Sequence, residues 1–129
     1  MIQYKRDEYM LQLRQADPRL WDILAIFEQI HATFGPPVVV TCVHRDDGSV
    51  HSTGRAVDIR SRHLALAPDR KESIALAVSR LGQAMFGGWE RPYCIWEHPG
   101  HANLALRNPE HWHLQVPPPA EAGREEGVA

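Results

Sequence analysis

The stretch "GSVHSTGRAVDIRS", Gly48 to Ser61, decides how this chain is read. Its second half alternates. On an extended strand neighbouring side chains point to opposite faces, so Ala56, Asp58 and Arg60 share one face and Val57 and Ile59 the other. One strand therefore carries an apolar face for a core and a polar face for function. His51 precedes Asp58 by seven residues, an odd offset that would separate them on a regular strand. Ser52-Thr53-Gly54 must turn the chain, so that His51 reaches in from a loop while Asp58 points inward from the strand. Small Ala56 beside it lets the backbone approach a metal closely.

Outward from this stretch the elements follow ordinary punctuation. Asp17 before Pro18 reads as a helix N-cap with proline at the first position, and Leu20, Ile23, Leu24, Phe27, Ile30 and Phe34 recur at helical spacing until Gly35-Pro36-Pro37. The short β-branched "VVVTCV" after it predicts a buried strand. A second helix opens at Pro68 or Asp69, with Ile74, Ala77, Val78, Leu81 and Met85 as its stripe and glycines at its end. "YCIW" and "HWHLQV" predict two further strands. The segment "RDEYMLQLRQ" reads as an N-terminal helix or strap on the core. The class expected is α+β, a small mainly antiparallel sheet with helices packed on it. Residues 1–117 make one domain, and the proline-led 118–129 tail has little to bury and is expected to be disordered.

Hydrophobic residues make up 43% of the 129 and charged residues 23%, the usage of a folded globular chain. A net charge of −2 does not suggest a polyanion-binding surface, so nucleic acid is not expected as a partner. The charged N-terminus lacks the apolar core of a signal peptide, and no run is long enough to span a bilayer, which points to synthesis in the cytoplasm without a Sec address. Two cysteines, Cys42 and Cys94, do not make a disulfide scaffold and read as reduced core thiols.

Of eight histidines, four fall in two short stretches: His44 and His51, then His111 and His113 in "NPEHWHLQV". Neutral imidazole and carboxylate are both good zinc ligands, and three of them leave a fourth position for water, the catalytic arrangement. His111 and His113 share a strand face, with Trp112 on the other as core. His111 is either a substrate contact or neighbour of the metal, or an exposed strand histidine. Pro109 can place Glu110 in the turn entering the strand, where its carboxylate could act as a general base without being a ligand. His31, His63, His98 and His101 sit in no ligand pattern.

"SVHSTGRAVD" resembles the S-x-H-x-x-G-x-A-x-D motif of the M15 peptidases, the zinc D-Ala-D-Ala carboxypeptidases, dipeptidases and phage L-alanyl-D-glutamate endopeptidases, with Ser49, His51, Gly54, Ala56 and Asp58 at its fixed positions. "EHWH" is similar to the family's second motif, an acidic residue three positions before the last zinc histidine. The family's arginine segment would fall on Val40 to Asp46, with His44 and Asp46 standing where tyrosine and serine are usual. The resemblance spans about Val38 to Gln115 and implies an M15/hedgehog-like fold. It implies zinc as cofactor held by His51, Asp58 and His113, with Glu110 as catalytic base. Arg45 would stabilise an oxyanion or substrate carboxylate, and Ser49 would contact substrate.

The substrate implied is an amide bond in peptidoglycan stem peptides, cut on the cell wall after release of the enzyme or, on recycled wall peptides, in the cytoplasm. No cell-wall-binding module is expected in the chain. Two other readings stay open: a non-catalytic binding module in which zinc is retained for structure, and a metal-dependent nuclease built on the same histidines.

Overall fold

Prolines and β-branched residues divide the chain much as expected, and the computed structural model, which describes residues 1–44 and 48–119, orders the pieces. They are β1 (Ile2–Tyr4), α1 (Asp7–Arg14), α2 (Pro18–Ala32), β2 (Val38–Cys42), β3 (Ala56–Arg60), α3 (Pro68–Phe86), β4 (Cys94–Glu97) and β5 (His111–Gln115). Asp17 caps α2 as its sequence predicts: its Oδ1 accepts from Arg19 N at 3.0 Å, with Pro18 opening the helix. The disordered tail expected over 118–129 lies, from residue 120 on, outside the described residues.

The strands form one sheet in the order β1-β2-β3-β5-β4. Pairings β2–β3, β3–β5 and β4–β5 are antiparallel, as expected, whereas β1 runs parallel to β2 and makes the sheet mixed. Three residues are too few for a sequence period to reveal, so β1 was not anticipated. The following "RDEYMLQLRQ" does form a helix, α1.

One sheet face is the core. Val57 and Ile59 of β3 and Trp112 and Leu114 of β5 are all fully buried there, and Trp112 meets Phe27 of α2 edge-on at 5.1 Å. Trp112 Nε1 donates to Lys71 O on α3, and Ser79 of α3 exchanges hydrogen bonds with the backbone of Cys94. Helices α2 and α3 thus cover the Val57/Trp112 face, and the opposite face carries Asp58, His111 and His113. His31 is a core residue between Phe27 and Trp112.

The stripe of α3 departs from expectation. Ile74, Ala75, Val78 and Gly82 are buried, but Leu81 and Met85 are 45% and 52% exposed. The reason is Gly82, whose missing side chain admits the Tyr93 ring: a methyl group there would lie 2.6 Å from Tyr93 Cγ. Seating Tyr93 against the helix rotates the buried face away from Leu81. Gly82→Ala should therefore lose about 1–2 kcal/mol despite the better helix propensity of alanine. Leu81→Ala should stay within about 0.5 kcal/mol. Urea unfolding of both variants measures the difference.

A second stability prediction concerns the α2 cap. Asp17 is held below the usual carboxylate range by its hydrogen bonds with Arg19, against a smaller upward push from burial. A depressed folded pKa stabilises above the unfolded value and loses that contribution as pH falls through the folded value. Asp17→Ala should cost about 1 kcal/mol at pH 7, and the gap from wild type should narrow as pH falls below the ordinary carboxylate range and through the lowered folded-state value.

Candidate metal centre

The register of β3 against β5 sets Asp58 opposite His113, and the register of β4 against β5 sets Glu97 opposite His111. All four side chains share the face away from the helices. His51 arrives from a short 3-10 turn, Val50–Thr53, that ends at Gly54 with φ 71°, the left-handed conformation that favours glycine. Gly54 O accepts from Asp17 N, tying this turn to the start of α2. The loop entry inferred for His51 is thus what the chain adopts.

Asp58 Oδ1 is the meeting point. His113 Nδ1 lies 3.0 Å from it, His51 Nε2 3.2 Å and His111 Nε2 3.6 Å. Ligand atoms on a tetrahedral zinc sit about 3.3 Å apart, given bonds of about 2.0–2.1 Å, so each imidazole taken singly with Asp58 is at ligand spacing, whereas the group whose ligand atoms all lie together among the described residues is Cys42, His51 and Asp58. The protonation of each ring is set by its other nitrogen. His51 Nδ1 is 2.8 Å from Val43 O and can only donate to it. His113 Nε2 is 3.1 Å from Gln115 Oε1, an orientation fixed because Gln115 Nε2 donates to Pro92 O. His111 Nδ1 is 2.6 Å from Pro109 O. In each neutral imidazole the nitrogen facing Asp58 therefore carries a lone pair, the arrangement that outer hydrogen bonds impose on metal-ligating histidines.

Two buried lone pairs and a carboxylate oxygen facing one another repel unless a cation lies among them. His51 Nε2 is fully buried and, among the described residues, makes no well-aligned hydrogen bond although Asp58 Oδ1 is 3.2 Å away. The same electrostatics set the protonation preferences of Asp58 and His51. Burial raises Asp58, but His113 and His51 overcome it and hold the carboxyl well below its usual range. Burial disfavours charged His51, yet Asp58, Cys42 and Val43 O outweigh it and push the imidazole up to about 10.

Cys42 corrects the reading of that thiol as a core residue. It is half-buried, lines the cleft, and its Sγ lies within 4.8 Å of the ligand atoms of His51 and Asp58, so that Cys42, His51 and Asp58 could hold a metal ion. The cause is an irregularity in β2: Val40 pairs with Ile59 but Cys42 with Asp58, two residues against one. The bulge turns Thr41 and Cys42 together toward the cleft. Cys94, by contrast, is buried in the core.

Glu110 occupies the bend before β5, as the Pro109 argument anticipated. Its Oε2 accepts from Ser61 Oγ at 2.6 Å and from Lys71 Nζ at 2.5 Å. Burial raises its pKa, but Lys71 and Ser61 prevail and keep it ionised. Lys71 is only 5% exposed, and Ser61 also accepts from Trp96 Nε1. Ser49 lines the same cleft of about 550 Å³, as do Glu97, Glu110 and the basic residues Lys5, Arg60 and Arg62. Arg45 lies outside the described residues.

Glu97 was missed by sequence reasoning. Its alternation with Trp96 on β4 was the available signal, but only the pairing to β5 gives that parity meaning. Its Oε1 accepts from Asn108 Nδ2 at 2.6 Å, and its Oε2 lies 3.5 Å from His111 Nε2 and 3.9 Å from His113 Nδ1. Burial raises its pKa, but His111 and Asn108 outweigh this and keep it ionised.

Comparison of the chain with protein-family models, with curated proteins and with solved structures finds no match. No helix among the described residues is long and apolar enough to cross a membrane.

If the ring orientations matter as argued, Gln115→Ala should weaken metal binding about 10-fold or more without touching a ligand. His51→Ala and Asp58→Asn should weaken it further. Competition with a colourimetric chelator measures both, and equal affinity in all variants would remove the ligand assignment.

Proposed function

We propose that this chain is a zinc-dependent peptidase acting on an amide bond of peptidoglycan stem peptides, with His51, Asp58 and His113 holding the metal. The observation that carries the reading is the convergence of two imidazole lone pairs on the Asp58 carboxylate, each ring's outer nitrogen already engaged. Zinc in such a site supplies a Lewis acid that activates water and polarises a carbonyl. Glu110 is the proton acceptor in this scheme. Lys71 and Ser61 hold its Oε2 and keep it ionised at neutral pH, so Oε1 remains to take a proton from the attacking water and deliver it to the leaving amine. Lys5, Arg60 and Arg62 place three cations on the cleft wall, alongside the carboxylates of Asp58, Glu97 and Glu110, where a substrate that carries carboxylates, as stem peptides do, could pair with them. Ser49 lines the cleft and His111 stands at its Asp58 side, so both would contact that substrate, and the motifs around His51 and His113 resemble those of the M15 peptidases.

Cys42 supports a second reading. A thiolate as fourth donor would close the coordination sphere, which characterises structural rather than catalytic zinc, and the chain would then be a zinc-stabilised binding module.

Purified peptidoglycan and soluble stem peptides, incubated with zinc-loaded protein and read by mass spectrometry, separate the two. New termini at one bond are expected from the wild type. Glu110→Ala would strand the buried Lys71 ammonium and destabilise the fold, so the informative variant is Glu110→Gln combined with Lys71→Met, which removes both charges. It should retain zinc and lose at least about 100-fold in rate. No cleavage by a zinc-loaded wild type would favour the binding module.

A further inference from the structure

His111 and Glu97 are more than neighbours of the centre just described. We propose that they bind a second divalent cation, with Asp58 as the carboxylate shared between two sites. The proposal rests on the reading of His51, Asp58 and His113 as the first site.

Three observations carry it. The first is the sheet register: Asp58 and His113 form one rung of the ladder, while Glu97 and His111 form the next same-face rung, two residues along β5. Two residues of strand span about 6.7 Å, so the rungs present separate donor groups that lean toward one another. The second is the state of His111. Its Nδ1–H is committed to Pro109 O, leaving the Nε2 lone pair flanked by Asp58 Oδ1 at 3.6 Å and Glu97 Oε2 at 3.5 Å. Two carboxylates around that nitrogen require a positive charge between them, which a proton on Nε2 or a metal ion in its place supplies. The third is the orientation of Glu97, whose Oε1 is held by Asn108 so that Oε2 is presented to the imidazole, with the residue 9% exposed.

A tetrahedral ion held by His51, His113 and Asp58 leaves His111 Nε2 and Glu97 Oε2 without a cation. A second ion at those atoms, bridged by Asp58, would complete both. Paired catalytic metals stand about 3.5–4 Å apart, and because all three imidazoles face the same Asp58 Oδ1, that oxygen would lie between the two ions. One nitrogen and two carboxylate oxygens, with water completing the shell, suit a first-row divalent ion such as zinc, manganese or cobalt.

The test is stoichiometry. Full-length protein is dialysed to equilibrium against buffered zinc, and separately against cobalt(II), and bound metal per chain is measured by inductively coupled plasma mass spectrometry, with circular dichroism as the check on folding. The expected ratio is about two for the wild type. It should fall to about one in His111→Ala and in Glu97→Gln, each of which keeps the first site. The cobalt(II) protein should show spin coupling by electron paramagnetic resonance, lost in both variants. A wild type that binds one ion, lost in His51→Ala but kept in His111→Ala and Glu97→Gln, overturns the second site and leaves the peptidase reading standing. A single ion lost in Glu97→Gln and kept in His51→Ala overturns both.

Discussion

The structure around the cleft depends on one buried carboxylate. Asp58 is 6% exposed in the middle strand of the sheet, where an uncompensated charge would cost several kcal/mol. Compensation arrives from three imidazoles set around Oδ1, and each is locked in orientation by a carbonyl or amide oxygen on its far side. The positive charge that Asp58 requires can be protons on those rings or a metal ion among them. Either occupant satisfies the carboxylate, so the site can assemble with the fold and exchange protons for metal afterwards.

The strand that supplies Asp58 also supplies the core. Val57 and Ile59 anchor β3 against the helices, and Trp112 between His111 and His113 does the same for β5. A one-residue slip of either strand would exchange core and site faces entirely, so the burial of Trp112 and Ile59 enforces the register that brings Asp58 to His113. Stability and site geometry are set by the same rungs. Gly54 contributes from the loop side, since its left-handed conformation lets the turn carrying His51 end abruptly at the start of β3.

Those features were legible in the sequence because they follow from local rules. Alternation over Arg55–Arg60 gave the two faces of β3, Asp17-Pro18 gave the start of α2, and the odd spacing of His51 and Asp58 required a turn between them. What escaped depends on pairing between distant segments. Glu97 acquires its role only from the register of β4 on β5, and Cys42 only from a bulge that no propensity scale records. Lys71 reads as one more charged residue on a helix, yet it is buried because Glu110, thirty-nine residues on, supplies the counter-charge. Leu81 and Met85 were placed in the core by helical spacing alone. The Tyr93 ring, seated on Gly82, overrode that spacing.

The same contacts bear on whether the centre is open or closed. Glu110 is not a loose carboxylate at a cleft rim: its partners Lys71 and Ser61 belong to the side of the sheet that Trp96 and Trp112 pack, so its position is set by the core. The pair has little structural purpose in itself, because replacing Lys71 and Glu110 together by apolar residues would be close to neutral for stability. Retaining a buried ion pair to orient one acid is intelligible if that acid handles protons. Cys42 pulls the other way, since a thiol near His51 and Asp58 could take up the position that a substrate or water needs. The two residues line the same cleft, Cys42 from β2 and Glu110 from the bend before β5. A thiol standing back from the ligand atoms would leave the fourth position to water, and one bound to the metal would close it.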